Sequence, residues 1–543
     1  MSVISVDAGT TMIKAVGYDG DGVESCVVRQ ETTLARRQAG WVEQDMAEVW
    51  NAVVHAVRTV VAELDEPPDY LALTAQGDGC WLVDNLGRPT GPAILWNDGR
   101  AAAIVEQWRS DGLLEDAFRV NGSMGFAGLP HAILTWLRRY NPDRLRRSSA
   151  ALTCGGWLFS KLTGRVGVDS SDAAAPFVDP RTGEYSTMLL QRFDMAWARS
   201  LLPEILDGRR RVAELSAVAA AQLGVPEGTA VVLSSYDIAS TSVGCGAVEP
   251  GQACSILGTT LCTEMVIDSA ALDAALAGPP AGLTIPLGVP DRMLRALPTL
   301  AGGEVIQWAC RMLGLDSPGD LGELAREVPP GAGGLSFLPY LSPAGERAPF
   351  LNDAARGSLM GLSFEHTRSH VARAVLEGLT LVIADCLATS TVAPTELRVC
   401  GGGAASATWC QLIADITGVP TSRSSDSEIG ARGAMVLGAT YTRASPDVSS
   451  AVGRYVTVRD TFAPDAEAHA EYTELYRDFL ALREIAGEGW PRLARMRTRA
   501  PSLTSAGPIP ALRPAELARE EGYRVRPNQQ TVTHPTQPDR RAP

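Results

Sequence analysis

Apolar positions at the start of the chain come in short runs broken by turns. Val3-Ile4-Ser5-Val6 leads into Asp7-Ala8-Gly9-Thr10-Thr11, and the chain resumes as Ile13-Lys14-Ala15-Val16. Two apolar runs around a glycine turn predict a β-hairpin. Residues 41–64 then change to helical spacing, with Val49, Val53, Val57, Val60 and Val61 recurring on one stripe, and predict an amphipathic helix. Residues 70–74 and 80–84 read as strands separated by the loop Ala75-Gln76-Gly77-Asp78-Gly79.

Near residue 230 the pattern restarts. Ala230-Val231-Val232-Leu233-Ser234 predicts a strand that enters Ser235-Tyr236-Asp237 and a small-residue helix from Ile238 to Val243, with Gly244, Gly246 and Pro250-Gly251 marking a junction. Ala253-Cys254-Ser255-Ile256-Leu257 then leads through Gly258-Thr259-Thr260 into Leu261-Cys262-Thr263-Glu264-Met265-Val266. Strand, Gly-Thr-Thr, strand is the device that opens the chain, and its reuse predicts two lobes of related architecture. Helical stretches at 365–388 and 406–417 and a strand at 397–400 follow. The expected division is 1–246, 247–490 and a tail at 491–543. From Pro501 the tail has frequent Pro, Arg, Gln and Thr without apolar period, which predicts disorder or loose attachment.

Composition narrows the class. Of 543 residues, 45% are hydrophobic and 20% charged, as in ordinary globular chains and unlike coiled coils or disordered proteins. No run of about 18 apolar residues predicts a membrane span, and MSVISVDAGTT has no basic, long-apolar leader, so a cytoplasmic protein is expected. A net charge of −14 argues against nucleic-acid or anionic-membrane partners. Ten cysteines without a Cys-x-x-Cys pair read as buried free thiols in a reducing compartment. His366 and His370 share a helix face, but no zincin glutamate accompanies them, so no metal is assigned there.

The turns carry the candidate chemistry. In each Gly-Thr-Thr, glycine lets the backbone approach an anion and threonine hydroxyls add donors, as a phosphate cradle requires. A single such turn is also ordinary hairpin chemistry; two copies, one beside Asp7, favour the cradle. Lys14 on the return strand faces either solvent or the phosphates. Asp7 at a strand end is placed to hold Mg²⁺ through water, or to cap local amides. Cys400-Gly401-Gly402-Gly403-Ala404-Ala405-Ser406, between strand and helix, offers a third surface for a flat or charged ligand. Asp237, where a strand passes into a helix, is the candidate base for phosphoryl transfer to an alcohol, with an N-cap aspartate as the plain alternative. Gln76, Asp78, Trp96, Asn97, Asp98 and Arg100 supply the acceptors and aromatic face that a polyhydroxyl ligand wants, although Asn97-Asp98-Gly99 also reads as a turn.

In this order the segments resemble the FGGY family of carbohydrate kinases over about residues 3–485: DAGTTMIK at 7–14, AILWNDGR at 93–100, SYDIAS at 235–240, SILGTT at 255–260, AGGEVIQW at 301–308, PYLSPAGERAPF at 339–350, ARAVLEGL at 372–379 and CGGGAASATWCQLIADITGVP at 400–420. The resemblance implies an α/β fold of two actin-like (ribonuclease H-like) lobes around a central cleft, with sugar mainly on the first lobe and ATP mainly on the second. It implies Asp237 as catalytic base, Asp7, Thr10, Thr11, Gly258, Thr259 and Thr260 at the phosphates and Mg²⁺, with Lys14 beside them, and Gly303, Gln307, Gly402, Gly403 and Ala404 around the nucleotide. Gln76, Asp78, Trp96, Asp98 and Asp237 are then expected at a small-molecule sugar or polyol. The resemblance allows a homodimer without locating an interface.

Within the family the substrate pocket departs from the xylulose kinases, which usually carry Gln-Met-His-Gly and Asp-Asn where this chain has Gln76-Gly77-Asp78-Gly79 and Asp237-Ile238. QGDGCWLVD at 76–84 and WLFSKLTGRVGVDSS at 157–171 resemble the erythritol kinases. A short alditol or related ketose phosphorylated at a terminal hydroxyl is therefore expected, an erythritol-type polyol first, with a xylulose kinase as runner-up. A sugar-sensing protein without catalysis is the rival of another class, opposed by the retained Asp7 and Asp237.

Overall fold

The computed structural model describes residues 2–36, 38 and 40–499. Two mixed sheets organise it. In the first, neighbouring strands run in the order Val212–Glu214, Ala230–Leu233, Tyr70–Ala75, Val3–Ala8, Met12–Tyr18, Glu24–Glu31. In the second the order is Leu283–Pro286, Arg292–Pro298, Leu261–Asp268, Gln252–Leu257, Glu396–Cys400, Thr421–Ser424, Val458–Phe462.

The sheets share a plan that follows from the two hairpins. Val3–Ala8 pairs antiparallel with Met12–Tyr18 and parallel with Tyr70–Ala75, which pairs parallel with Ala230–Leu233. Gln252–Leu257 likewise pairs antiparallel with Leu261–Asp268 and parallel with Glu396–Cys400, which pairs parallel with Thr421–Ser424. Each parallel edge is closed by an antiparallel strand, Val212–Glu214 in one sheet and Val458–Phe462 in the other. The central strands VISVDA and YLALTA are buried along their whole length, because layers cover both faces of a parallel sheet and leave no polar side to alternate with. The duplicated architecture expected from the repeated turn is present.

The first long helix is Met46–Glu63, not 41–64. Asp45 caps it by accepting from the amides of Ala47 and Glu48, and the two residues before the cap, Glu43–Gln44, instead pair with Ala93–Ile94. The later helices Arg368–Ala388 and Ala407–Thr417 fall where the apolar spacing places them. His370 is the third residue of the former and accepts from Thr367 in a capping box, which gives this histidine a structural use.

Helix Asp237–Cys245, which leaves the first sheet, crosses Ile429–Tyr441 at two glycines. A methyl at Gly433 would lie 1.7 Å from the Ser240 carbonyl oxygen, and one at Gly244 would lie 2.0 Å from that of Ile429. Only bare backbone permits so close an approach. Around this crossing, Val243, Cys245, Cys254, Cys400, Ala431 and Met435 belong to an apolar core between the sheets, separate from the cores under each sheet. Nine of the ten cysteines are buried, Cys26 is half-buried, and all are free thiols.

No helix among the described residues is long and apolar enough to cross a membrane. The helix Ala466–Arg499 includes the first residues of the segment read as a tail; residues 500–543 lie outside the described residues.

Candidate active site

The first hairpin sets two charges opposite each other. Asp7 and Lys14 are register partners, and the Lys14 ammonium lies 3.3 Å from Asp7 Oδ2. The same ammonium reaches Glu428 Oε2 at 3.0 Å, and Arg29 Nε donates to the other Glu428 oxygen at 2.7 Å. Lys14 thus faces the site rather than solvent alone. Burial alone would lower its pKa, but Asp7 and Glu428 together raise it. Burial raises the Asp7 carboxyl, and Lys14 offsets that in part. Glu428 stands just before helix Ile429–Tyr441 and escaped the sequence reading, where Ser425-Asp426-Ser427-Glu428 looks like any polar loop before a helix.

The hairpin turn is held by polar side chains expected at the ligand. Trp96 Nε1 donates to Thr10 Oγ1 at 3.0 Å, and that hydroxyl donates to Gln76 Oε1 at 2.9 Å. Gln76 Nε2 donates to Gln44 Oε1, whose own amide donates to the Thr10 carbonyl at 3.0 Å. Gln44 is a second residue the sequence reading missed, hidden inside a stretch assigned to a helix. Thr11 is exposed at the tip. Asp98 is fully engaged: Arg100 binds both its oxygens, at 2.8 and 2.9 Å, and the Val42 amide donates at 2.6 Å. Arg100 also pairs with Glu43 at 2.8 Å and lies 4.1 Å from the Trp41 ring centroid. Asp98 therefore folds the loop and has no acceptor capacity left over in the positions those donors occupy.

Two carboxylates remain uncommitted. Asp78 sits between Gly77 and Gly79 with φ of 56°, a left-handed conformation that aspartate tolerates better than most residues. Its carboxylate has no hydrogen bond or ion pair with any described residue; burial pushes it up to about 7, with Arg347 pulling it back. Asp237 is the first helical residue rather than the N-cap, a place taken by Tyr236. Its Oδ1 accepts from the Ile238 amide at 2.7 Å, and Oδ2 is free of hydrogen bonds to described residues. Burial, and then the charge of Asp7, push Asp237 up to about 7; the Ile238 amide and Lys14 oppose this, and Asp78 adds to it. The turn that carries Asp237 is fixed by Thr74 Oγ1 and Ser240 Oγ on the Ser235 carbonyl, at 2.8 and 2.6 Å, and by the Tyr236 amide on Ser171 Oγ at 3.0 Å. Arg347 comes from the second sheet's half of the chain, and within PYLSPAGERAPF no local pattern marks it out for a role.

The second turn is latched to the helix Gly303–Leu313. The Gly303 amide donates to the Gly258 carbonyl at 2.8 Å, and the Glu304 amide to that of Thr259 at 3.1 Å. Thr259 is exposed, Thr260 half-buried, and Gln307 is exposed one turn along the helix. Gly401, at φ of 83°, passes so close to Leu257 that a methyl there would lie 2.9 Å from its carbonyl oxygen. Beside it Gly402 borders open space, and a methyl on its Cα would meet nothing within 4 Å, whereas Gly403 packs on Leu257 and Trp409. Ala404 is buried in the second core, and its carbonyl accepts from Arg423. Of the expected nucleotide set, Gly258, Thr259, Thr260, Gly303, Gln307, Gly402 and Gly403 are at least partly exposed, whereas Ala404 is buried.

Two duplicated α/β lobes, each presenting a Gly-Thr-Thr turn, with an uncommitted aspartate at the start of the crossing helix, define a two-lobed phosphotransferase of actin-like architecture. The family comparisons carry this to its particular case. The family described as "FGGY family of carbohydrate kinases, N-terminal domain" matches residues 2–244, and its C-terminal domain matches residues 253–441. The chain belongs to the FGGY family and is a carbohydrate kinase. It is 32% identical over 513 residues to an erythritol kinase of Brucella abortus (strain 2308), covering 91% of this chain and 98% of that one. It is 28% identical over 477 residues to a xylulose kinase of Escherichia coli (strain K12), covering 86% and 96%. The ligand-bound xylulose kinase of Lactobacillus acidophilus shares its fold, with a TM-score of 0.84 at 23% identity over 91% of this chain and 99% of that one.

Proposed function

We propose that the protein transfers the γ-phosphoryl group of ATP to a terminal hydroxyl of a short sugar alcohol of the erythritol type. The observation that carries the reading is Asp237: a rigidly placed carboxylate with one oxygen free and a pKa near neutrality. Such a group orients an alcohol and takes its proton as the phosphoryl group arrives. The first lobe, taken as residues 1–246, binds the acceptor, and the second, 247–490, binds the nucleotide.

Asp78 is the second acceptor for polyol hydroxyls, since Asp98, Gln76 and Trp96 spend their polar atoms on the protein. Gln76 and Trp96 act by holding Thr10, and Trp96 also offers an apolar face. Gly402 and Gln307 border the nucleotide, and the turns Gly9-Thr10-Thr11 and Gly258-Thr259-Thr260 meet its phosphates. Burial raises Asp7, Asp78 and Asp237, and the charges of Asp7 and Asp78 add to that at Asp237, so negative charge gathers beside the base and favours a cation there. Asp7 would hold Mg²⁺ there, and the ion supplies charge neutralisation on the phosphates when bound.

The erythritol preference is supported by the 32% identical relative and by two residues of this chain. Asp78 offers carboxyl oxygens to substrate hydroxyls, and Ile238 puts an apolar side chain next to the base. A coupled ADP-release assay over erythritol, threitol, xylitol and xylulose tests the reading. Erythritol or threitol is expected to give the highest kcat/KM; dominance of xylulose would transfer the assignment to a ketose kinase.

A further inference from the structure

Cys245, Cys254 and Cys400 stand far apart in sequence, yet their sulfur atoms lie within 4.8 Å of one another and all three side chains are buried. The sheet register explains the convergence. Cys254 pairs with Glu264 across the second hairpin, and Ile256, two residues on, pairs with Cys400, so Cys254, Glu264 and Cys400 share one sheet face. Cys245, the last residue of helix Asp237–Cys245, comes down on that face. Glu264 is completely buried, and apart from the Cys262 thiol its carboxylate has no hydrogen-bond partner among the described residues. A carboxyl placed there without a partner is expensive in its charged form.

We propose that Cys245, Cys254 and Cys400 form a three-thiolate binding site for one soft d¹⁰ metal ion of the Zn²⁺ class. Thiolates select such ions, and three of them fill three of the four positions around a tetrahedral ion. Zn–S bonds of about 2.3 Å put sulfurs about 3.8 Å apart, so the trio closes by about 1 Å or less to grip the ion. The three thiol protons pass to solvent on binding. The site joins three elements of the kinase: the helix that begins with Asp237, the strand that runs into Gly258, and the strand that runs into Gly401. An ion bound here fastens the base-bearing helix to both nucleotide turns, a consequence that rests on the role proposed for Asp237; the binding itself does not.

The test uses the purified full-length protein, reduced, stripped of metal and titrated with Co²⁺ as a spectroscopic stand-in for Zn²⁺. Saturation at one equivalent is expected, with a sulfur-to-cobalt charge-transfer band whose intensity counts three thiolates and visible bands of a tetrahedral ion, all displaced by Zn²⁺. Cys254→Ala or Cys400→Ala should abolish the three-thiolate spectrum and the rise in Tm with Zn²⁺, whereas Cys26→Ser and Cys386→Ala should keep both. Glu264→Gln, outside the three sulfurs, should keep the three-thiolate band. No charge-transfer band in the wild-type protein, or a three-thiolate band that survives Cys254→Ala, overturns the site whatever the kinase assay reads.

Discussion

Lys14 faces Asp7 across the N-terminal hairpin with its ammonium 3.3 Å from the carboxylate, and it reaches Glu428 on the other side at 3.0 Å. One of only two lysines in the chain therefore ties the first hairpin to the start of helix Ile429–Tyr441. On the reading that it also serves the triphosphate, Lys14→Met loses a charge-assisted contact of about 1.5–3 kcal/mol. The nucleotide KM should rise roughly tenfold or more. A lower Tm with an unchanged nucleotide KM would assign Lys14 to structure alone.

The pH dependence follows from Asp237. Its carboxyl lies at about 7 and accepts a proton only when ionised, so kcat/KM should fall as pH drops through that value. Asp7, Asp78 and Lys14 act on it, and Asp78 titrates in the same range, so the acid limb belongs to the coupled set. Asp78→Asn removes a like charge and should move the limb to lower pH. A profile flat from about pH 6 to about pH 8 would contradict the assignment.

Asp98 separates a folding role from a binding one. Its side chain and that of Arg100 are almost wholly buried, at 0% and 2% exposure, so Asp98→Ala leaves a buried guanidinium with Glu43 as its remaining carboxylate partner. The expected loss is about 3 kcal/mol of stability, read as a lower urea midpoint, with the polyol KM unchanged in the folded fraction. A raised polyol KM at unchanged stability would return Asp98 to the pocket.

The helix crossing is equally testable. Gly433→Ala drives a methyl to 1.7 Å from the Ser240 carbonyl unless the helices part. Overpacking of this kind costs about 1–3 kcal/mol. Because Asp237 begins the displaced helix, kcat should fall with stability; full activity at unchanged urea midpoint would show that the crossing tolerates a shift without moving the base.

The hairpins, the repeated lobe plan and the long helices were legible in the sequence, because apolar periodicity and glycine turns act locally. The family resemblance located the turns and Asp237. Partner choice was less legible, since it depends on residues brought together from a distance. Gln76, Trp96 and Asp98 have the chemistry of sugar ligands, and only the fold reveals that Thr10, Gln44, Arg100 and Val42 occupy their polar atoms. Glu428 and the three converging thiols gave no local signal at all, because register between remote strands and one helix end assembles them.

The central claim is that the free oxygen of Asp237 is the base for phosphoryl transfer. Asp237→Asn keeps the size and the Ile238 contact but cannot take a proton. In a coupled ADP-release assay with the best polyol, its kcat should fall roughly 10²–10⁴-fold while nucleotide affinity, measured by calorimetry, stays unchanged. Turnover at the wild-type rate in that variant would contradict the account.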